Sequence, residues 1–248
     1  MWDWSAFFHY LHNGYLLKGA GVTLALSLAC LAIGLVCGTL AALMRMSTNP
    51  LLNKPAAFYI WLMRGTPVLV QLIIIYTGLP QLGIRFNVIE SCLLGLGLNE
   101  GAYLAEIIRA GILSVAKGQF DAARSVGMTH AMTMRIIVLP LAMRVIIPPL
   151  GNTFNSLLKT TSLASVISME ELLRRTEVLI QVQFKVLEIF IVAAFYYLVM
   201  TTIWGFIQVR LETHFSRSHA PAKARGAAFA SSEARAEIEK VLLSHDAQ

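Results

Sequence analysis

The feature that most limits what this chain can fold into is a run of 26 residues, Gly19 to Met44, without a charged side chain. About 20 apolar residues are enough to cross the hydrocarbon core of a bilayer as a helix. Of the 248 residues, 56% are hydrophobic and 14% are charged, a balance outside the range of ordinary soluble domains. The sequence therefore predicts an all-α integral membrane protein.

Four more apolar runs follow, separated by turns and polar segments. Within the first run, Gly34 and Gly38 form a small-xxx-small pair that would let another helix approach closely. The aromatic segment 1–18 suits a short helix in the membrane interface. Segment 216–248 is rich in Ala and Ser with scattered charges, and we expect a mobile cytoplasmic tail. We predict five membrane-spanning helices, at about 19–44, 55–83, 91–113, 136–158 and 189–209.

The distribution of Lys and Arg predicts the orientation, because these residues are enriched on the cytoplasmic side of membrane proteins. An N-terminus outside the cell leaves 14 of the 20 inside. This orientation also places the C-terminus and segment 117–140 in the cytoplasm. The six on the outer side are Lys18, Arg85, Lys159, Arg174, Arg175 and Lys185.

Segment 117–140 is polar although it lies between two apolar runs. Its apolar and small residues recur at steps of three and four, which is typical of an amphipathic helix but too polar to cross a membrane. We predict one or two short helices on the membrane surface, broken near Gly127. The recurring residues are Phe120, Ala123, Gly127, Ala131 and Met134.

The third predicted span carries an unusual number of polar side chains. Ionisable groups at membrane depth are costly, so they usually face a cavity or a partner helix. Glu106 and Arg109 are three residues apart and can pair on one side of the helix. Either that side faces a cavity, or Arg109 lies at the interface with Glu106 as its ion-pair partner. The polar residues are Asn99, Glu100, Tyr103, Glu106 and Arg109.

Glycine and proline mark two departures from regular helix. In span two, Arg64-Gly65-Thr66-Pro67 indicates either an arginine that extends to the interface or a local break. In span four, Pro148-Pro149 removes two backbone donors and predicts a kink. Polar groups of spans three and four should converge nearby, either to recognise a zwitterion or to join helices by hydrogen bonds. These groups are Asn99, Tyr103, Asn152, Asn155 and Ser156.

The sequence lacks the residue patterns of metal sites, disulfide frameworks, P-loops and catalytic centres. The six His and three Cys residues lack the spacing of metal ligands, and no disulfide framework is implied. No G-x-x-x-x-G-K motif exists, so the chain has no P-loop of its own. A nucleophile with a neighbouring base, as a membrane enzyme needs, is also missing. We therefore predict no metal, no cofactor in this chain, no enzymatic activity and no nucleic-acid partner.

Several ordered motifs resemble a known family. Asp121–Gly127 (DAARSVG), followed by Ile136–Pro140 (IIVLP), resembles the EAA-type loop of bacterial ABC importer permeases. The family's usual glutamate at the head of this loop is Asp121 here. The stretches similar to the polar amino acid branch of that family are Arg64–Pro67 with Gln71, Ala102–Glu106 with Arg109, and Pro148–Asn152 with Lys159–Leu163.

The resemblance implies a MetI-like permease domain over 19–215, with five spans and a cytoplasmic coupling helix, in the bacterial inner membrane. It implies that the subunit dimerises, with itself or with a related subunit. Two cytoplasmic ATPase subunits would hold ATP and Mg, and an extracytoplasmic binding protein would deliver a polar L-amino acid. A self-contained secondary carrier is the distant alternative, because five spans without an inverted repeat do not suit a carrier.

Finer similarity concerns the substrate. Leu17–Gly21, Tyr76–Gln81 and Ser125–Thr129 look most similar to cystine-type permeases. Permeases for glutamine or glutamate, or for basic amino acids, are the alternatives. The acidic residue that the family usually has after Lys159 is Thr160 here, which weakens any inference that depends on that carboxylate.

The resemblance and the residue patterns together assign three groups of candidate site residues. For coupling to the ATPase they are Gly118, Asp121, Ala122, Ala123, Arg124, Gly127 and Pro140. For the substrate path they are Asn99, Tyr103, Glu106, Asn152, Asn155, Ser156, Lys159, Thr161 and Ser162. For structural roles they are Arg64, Gly65, Pro67, Arg109, Pro148 and Pro149.

Overall fold

The computed structural model describes residues 2–217, and in that range it contains nine helices and no strand. The last helix includes residues 216 and 217, and the remainder of the predicted mobile tail lies outside the described residues. The helices are α1 (Trp4–Leu11), α2 (Gly14–Met46), α3 (Pro50–Gly65), α4 (Val68–Leu82), α5 (Val88–Leu113), α6 (Lys117–Ser125), α7 (His130–Ile167), α8 (Leu172–Gln183) and α9 (Val186–Arg217).

Three of these helices, α2, α7 and α9, are each long and apolar enough to cross a bilayer. The pair α3 and α4 is bent by 104° and together passes the same test. Polar residues lower the hydropathy of α5, which nevertheless packs against α2, α3 and α7. The all-α membrane fold is confirmed, and the count of five spans stays a prediction. Within the second predicted span, α3 and α4 meet at this sharp bend, which lies at Arg64–Pro67, where a local break was one of the two interpretations.

Glycines bring α2 and α5 into close contact. A Cβ atom at Gly38 would lie 2.8 Å from the carbonyl oxygen of Gly101, and one at Gly34 would lie 3.2 Å from Cβ of Glu100. Contacts shorter than 3.0 Å are essentially never made by a real Cβ. Only glycine therefore fits at Gly38, and the small-xxx-small pair fixes how α5 lies against α2.

Two short π-helical turns have the same local cause. The segments Ile74–Gly78 and Met134–Val138 are each followed by Leu-Pro, at Pro80 and Pro140. Proline has no backbone N–H, so the regular i to i−4 ladder loses a donor there. The preceding leucine N–H instead reaches back five residues, from Leu79 to Ile74 and from Leu139 to Met134.

The proline pair Pro148-Pro149 does not end α7. The helix is α-helical from Leu139 to Thr160, and α9 supplies hydrogen bonds beside the prolines. The indole Nε1–H of Trp204 donates to the carbonyl of Gly151 over 2.8 Å. This bond holds α9 against α7 two residues after the proline pair.

A buried carboxylate fixes α8, which lies outside the spans, to α2 and α9. Glu171 caps α8, and its carboxylate accepts from the backbone N–H of Arg174 (2.8 Å), Oγ1 of Thr23 (3.2 Å) and the phenol of Tyr197 (2.9 Å). Oγ1 of Thr23 in turn accepts from the N–H of Leu172 over 3.1 Å. These hydrogen bonds favour ionisation, yet burial raises the pKa of Glu171 above its ordinary value.

Candidate functional site

A cavity of about 390 Å³ opens between α4, α5 and α7. Seven of its eight lining residues belong to α5 and α7, and most of them are polar. A polar cavity among apolar helices is typical of a substrate or ion path. The lining residues are Val68, Asn99, Glu100, Tyr103, Asn152, Thr153, Ser156 and Thr160.

The wall formed by α5 carries the carboxyl group of the cavity. Glu100 is half-buried, and across residues 2–217 its carboxylate has no hydrogen-bond or ion-pair partner. No Lys or Arg lines the cavity. The guanidinium of Arg64 lies 5.2 Å from the ring centroid of Tyr103, on the same wall, and makes no ion pair with Glu100.

Side chains satisfy the backbone at the bend between α3 and α4. The hydroxyl of Thr66 donates to the carbonyl of Leu62 over 2.8 Å. Nε2 of Gln71 donates to the carbonyl of Met63 (3.0 Å) and to Oγ1 of Thr66 (2.8 Å). Of the two interpretations of Arg64–Pro67, the local break is the one the structure contains. The break places Val68, at the start of α4, on the cavity.

Asn99 has a structural task at the same bend. Its Nδ2 donates to the carbonyl of Met63 (2.8 Å) and to Oε1 of Gln71 (3.2 Å), and its exposed fraction is 8%. Both amide hydrogens are thereby used between helices. Asn99 lines the cavity as predicted, but it offers the cavity only its Oδ1.

The wall formed by α7 is a row of neutral polar groups. Asn152, Ser156 and Thr160 are four residues apart, so they share one helix face, and Thr153 lies beside them. Oδ1 of Asn152 accepts from Nε2 of Gln208 on α9 over 3.1 Å. That bond uses Oδ1, and the amide nitrogen of Asn152 has no acceptor among residues 2–217.

Five of the predicted path residues do not line this cavity. Asn155 lies on a different face of α7 from Asn152 and Ser156, and its Oδ1 is buried without a partner within 2–217. Thr161 is buried and donates to the carbonyl of Leu158 over 3.0 Å, because a tighter 3₁₀ turn begins there. The other three are Glu106, Lys159 and Ser162.

Glu106 instead forms the ion pair that the sequence predicted. Its Oε2 lies 2.7 Å from Nη2 of Arg109, with each side chain about a third exposed or less. The ion pair occurs in the alternative in which Arg109 lies at the interface with Glu106 as its partner, and the position of Arg109 at the interface stays a prediction.

Four cavity residues were not among the predicted path residues, namely Val68, Glu100, Thr153 and Thr160, although Glu100 was one of the span-three side chains expected to face a cavity or a partner helix. The spacing of four between Asn152, Ser156 and Thr160 could have identified the α7 face. Glu100 could have been chosen because it is a lone carboxylate in an apolar run. Val68 depends on the bend, which has no periodic signal.

A second candidate surface lies on α6. Ala123 is buried at 1% exposure, and Phe120 packs against the apolar cluster that includes Ile112 of α5, Val115 just beyond it and Val138 of α7. The opposite face of α6 is exposed and carries four of the predicted coupling residues. They are Gly118, Asp121, Ala122 and Arg124.

Gly127 ends α6 with a left-handed residue. Its φ is +79°. The N–H of Gly127 donates to the carbonyl of Arg124 (2.9 Å), and the N–H of Met128 donates to the carbonyl of Ala123 (3.0 Å). This pair of bonds is a Schellman motif, which favours glycine because other residues are strained at positive φ. The predicted break near Gly127 is the turn that leads into α7.

Among residues 2–217, no three His, Cys, Asp or Glu side chains are grouped as a metal site requires.

Comparison with known proteins places these features in a family. Residues 34–217 match the family of the binding-protein-dependent transport system inner membrane component. The probable amino-acid ABC transporter permease protein YckA of Bacillus subtilis is 41% identical over 202 residues, covering 82% of this chain and 89% of the relative. The glutamine transport system permease protein GlnP of Escherichia coli is 39% identical over 212 residues, covering 85% and 96%.

Other matches agree with these two. The L-cystine transport system permease protein TcyB of Bacillus subtilis is 40% identical over 200 residues, covering 80% of this chain and 86% of the relative. A crystal structure of an amino acid ABC transporter with histidines matches with a TM-score of 0.81 and 38% identity, covering 86% of this chain and 99% of that one. The inward-facing MetNI methionine ABC transporter has the same fold, with a TM-score of 0.69 at 16% identity over 82% and 97%. The chain belongs to the family of binding-protein-dependent transport system inner membrane components, as an amino-acid ABC transporter permease.

Proposed function

We propose that this chain is the membrane subunit of an ATP-driven importer that carries a polar L-amino acid into a bacterial cell. Its N-terminus would lie outside, and α6 would face the cytoplasm. Two ATPase subunits would hold ATP and Mg, a second permease subunit of the same or related sequence would complete the path, and a binding protein would deliver the substrate. Relatives named for glutamine, L-cystine and arginine support an amino acid as cargo.

One observation carries the coupling part of the proposal. The helices on either side of α6, α5 and α7, carry seven of the eight residues that line the cavity. Phe120 packs α6 against the apolar cluster that Ile112 of α5 and Val138 of α7 share. A partner that grips the exposed face of α6 and moves it would therefore tilt both cavity walls as rigid bodies.

The coupling role of individual residues rests on the exposed face of α6. Asp121 and Arg124 would orient a partner's groove by polar contacts, and Gly127 would set the angle between α6 and α7. Pro140 acts through the π-helical turn at the start of α7 rather than by contact.

Among polar amino acids, we favour a cystine-type substrate on the similarity of Leu17–Gly21, Tyr76–Gln81 and Ser125–Thr129. Glutamine and basic amino acids are the next candidates. The binding protein would set much of this choice, so the ligand that stimulates ATP hydrolysis when bound to the cognate binding protein identifies the cargo.

Reconstitution tests the proposal as a whole. The purified chain alone in proteoliposomes should hydrolyse no ATP and concentrate no amino acid. Uptake should appear when ATPase subunits and the loaded binding protein are added. Concentrative uptake by the chain alone would contradict the proposal and favour a secondary carrier.

Two α6 variants test the coupling surface. Asp121→Lys and Gly127→Pro should leave membrane insertion intact but abolish transport, because the first reverses a contact charge and the second cannot adopt a φ of +79°. Lys54→Glu, a charge reversal at an exposed residue of α3, is the control and should retain transport. If both α6 variants bound the ATPase and transported normally, α6 would not be the surface that couples the ATPase to transport.

A further inference from the structure

We infer that Glu100 accepts the ammonium group of the transported amino acid, and that it makes this cavity reject acidic amino acids. The inference rests on the proposed function and adds to it the charge class of the substrate. Of the two substrates in the alternative of a glutamine or glutamate permease, the inference retains glutamine and excludes glutamate.

The starting observation is a carboxylate that the protein itself does not neutralise. Glu100 lines the cavity, and in the part of the chain that the structure describes it has no hydrogen-bond donor and no ion-pair partner. By contrast, Glu106 on the same helix is 2.7 Å from Arg109. A half-buried carboxylate without a partner is costly unless a guest supplies the positive charge.

The packing of α5 holds Glu100 at this place. Cβ of Glu100 lies against Gly34 of α2, where an added Cβ would approach to 3.2 Å. On α3, the phenol of Tyr59 donates to the carbonyl of Leu98. The backbone of α5 is thus fixed from two sides, and Glu100 cannot easily withdraw from the cavity.

The opposite wall is complementary, because it offers donors that carry no charge. Within residues 2–217, the hydroxyls of Thr153 and Ser156 have no hydrogen-bond acceptor, and neither has the amide nitrogen of Asn152, whose Oδ1 is held by Gln208. These three groups can donate to a substrate carboxylate. The hydroxyl of Thr160 differs, since it donates to the carbonyl of Ser156 over 3.0 Å.

The charge balance of the lining sets the class of guest. One carboxylate on α5 and neutral donors on α7 match a zwitterion, with its ammonium at Glu100 and its carboxylate at α7. An additional cation on the substrate would also be tolerated, because the cavity lining holds no positive charge. An additional carboxylate would place two like charges beside Glu100 with no Lys or Arg in the lining, which is unfavourable in a poorly solvated cavity.

The test is a cycle that changes the protein and the ligand separately. The permease is purified as the complex with its ATPase subunits, without binding protein, and dissociation constants are measured by calorimetry. The probes are L-glutamine, L-cystine and L-arginine, each with its N-acetyl derivative, which lacks the ammonium charge, and L-glutamate. The proteins are the wild type, Glu100→Gln, Glu100→Asp and the control Glu90→Gln, the same change at the exposed start of α5.

The wild type should bind at least one free amino acid about tenfold or more tightly than its N-acetyl derivative, the size expected for a desolvated charge pair. Glu100→Gln should remove that preference and bind L-glutamate better than the wild type does. Glu100→Asp should restore the preference in part, and Glu90→Gln should behave as the wild type.

Equal weakening of free and acetylated ligands in Glu100→Gln would overturn the inference, since a purely structural role does not distinguish them. An unchanged preference in Glu100→Gln, or binding of no probe by the wild type, would also overturn it. The proposed function is decided separately by wild-type uptake with the complete set of partners. Uptake can succeed in that assay even where the assignment of Glu100 fails.

Discussion

Two carboxylates in this protein illustrate opposite ways of placing an acid among apolar helices. Glu171 is 0% exposed and accepts from Thr23, Tyr197 and a backbone N–H, at 2.8 to 3.2 Å. Glu100 is half-buried in the cavity wall and accepts from none of the described residues. Both lose hydration, but only Glu171 recovers hydrogen bonds from the protein itself.

The difference in hydrogen bonding separates a carboxylate with a structural role from one that is available to a ligand. The donors around Glu171 come from three helices, so the carboxylate fixes their relative positions. They offset much of the cost of burial but not all of it, because the pKa of Glu171 is still raised. Glu100 accepts no hydrogen bond from the described residues, so its carboxyl group remains available to a ligand.

The largest expected effect is loss of the Glu171 carboxylate. Glu171→Ala leaves three donors without an acceptor and removes the cap of α8, so we expect the free energy of unfolding to fall by about 3 kcal/mol. Thermal and denaturant unfolding of the detergent-purified protein measures this. The matched control is Glu170→Ala, because Glu170 is exposed and only pairs with Arg175 at 3.3 Å. A similar small loss in both variants would mean that Glu171 does not hold the helices together.

A smaller effect should come from the Thr23 hydroxyl. It donates to Glu171 and accepts from the N–H of Leu172, so Thr23→Val, at nearly constant volume, removes the acceptor of the Leu172 N–H and one of the three donors to Glu171. We expect a loss of about 1 to 2 kcal/mol in unfolding free energy. The control is Thr77→Val, since Thr77 is exposed and bonds only within its own helix, to the carbonyl of Ile73. Equal losses in the two variants would show that the link between α2 and α8 adds nothing.

Sequence patterns located the long helices and gave a local break at Arg64–Pro67 as one of two interpretations, but they did not decide between the two or predict a bend of 104°. The hydropathy of residues 55–83 contains a continuous apolar signal, and the break depends on Gln71 and Asn99 bonding to the carbonyl of Met63. Those are contacts between residues distant in sequence, which periodicity does not encode. The glycine at the end of α6 was predictable because a Schellman turn is local.

The candidate site also contains residues that helical spacing predicts and residues that it does not. Tyr103, Asn152 and Ser156 were predicted for the cavity and line it, because helical spacing alone puts them on inward faces. Lys159 and Thr161 were assigned to the path by resemblance; Thr161 begins a 3₁₀ turn in which its side chain is buried, and Lys159, still in α-helix, is exposed but does not line the cavity. A change of helical register cannot be inferred from α-helical spacing. The roles of all these residues in transport stay predictions.

A third prediction concerns the sign of an effect rather than its size. Glu100→Gln should leave the unfolding free energy unchanged or raise it by up to about 1 kcal/mol, because it removes an uncompensated charge. Glu106→Gln should lower it by about 0.5 kcal/mol, since the ion pair with Arg109 is partly exposed. Unfolding of both variants without ligand checks this. A larger loss for Glu100→Gln than for Glu106→Gln would show that Glu100 already has a partner, and the contrast with Glu171 would disappear.

The smallest expected effect is a pH dependence in which Glu171 and Asp3 act with opposite signs. The N–H of Ala6 and the ammonium of Lys185, 3.0 Å away, hold the pKa of Asp3 below its ordinary value of 3.8. Asp3 therefore stabilises the fold above that value, and the contribution is lost as the pH falls through its lower folded pKa. The raised pKa of Glu171 gives a contribution that is present below its ordinary value of 4.5 and lost as the pH rises through the folded pKa.

Thermal midpoints of unfolding, measured between pH 3 and pH 7, test both contributions. Relative to the wild type, Asp3→Asn should become less stable as the pH rises, and Glu171→Gln should become more stable. If the stability differences of the two variants from the wild type changed with pH in the same direction, the two carboxylates would titrate in similar surroundings. That result would contradict the contrast between the ion pair of Asp3 and the buried cap formed by Glu171.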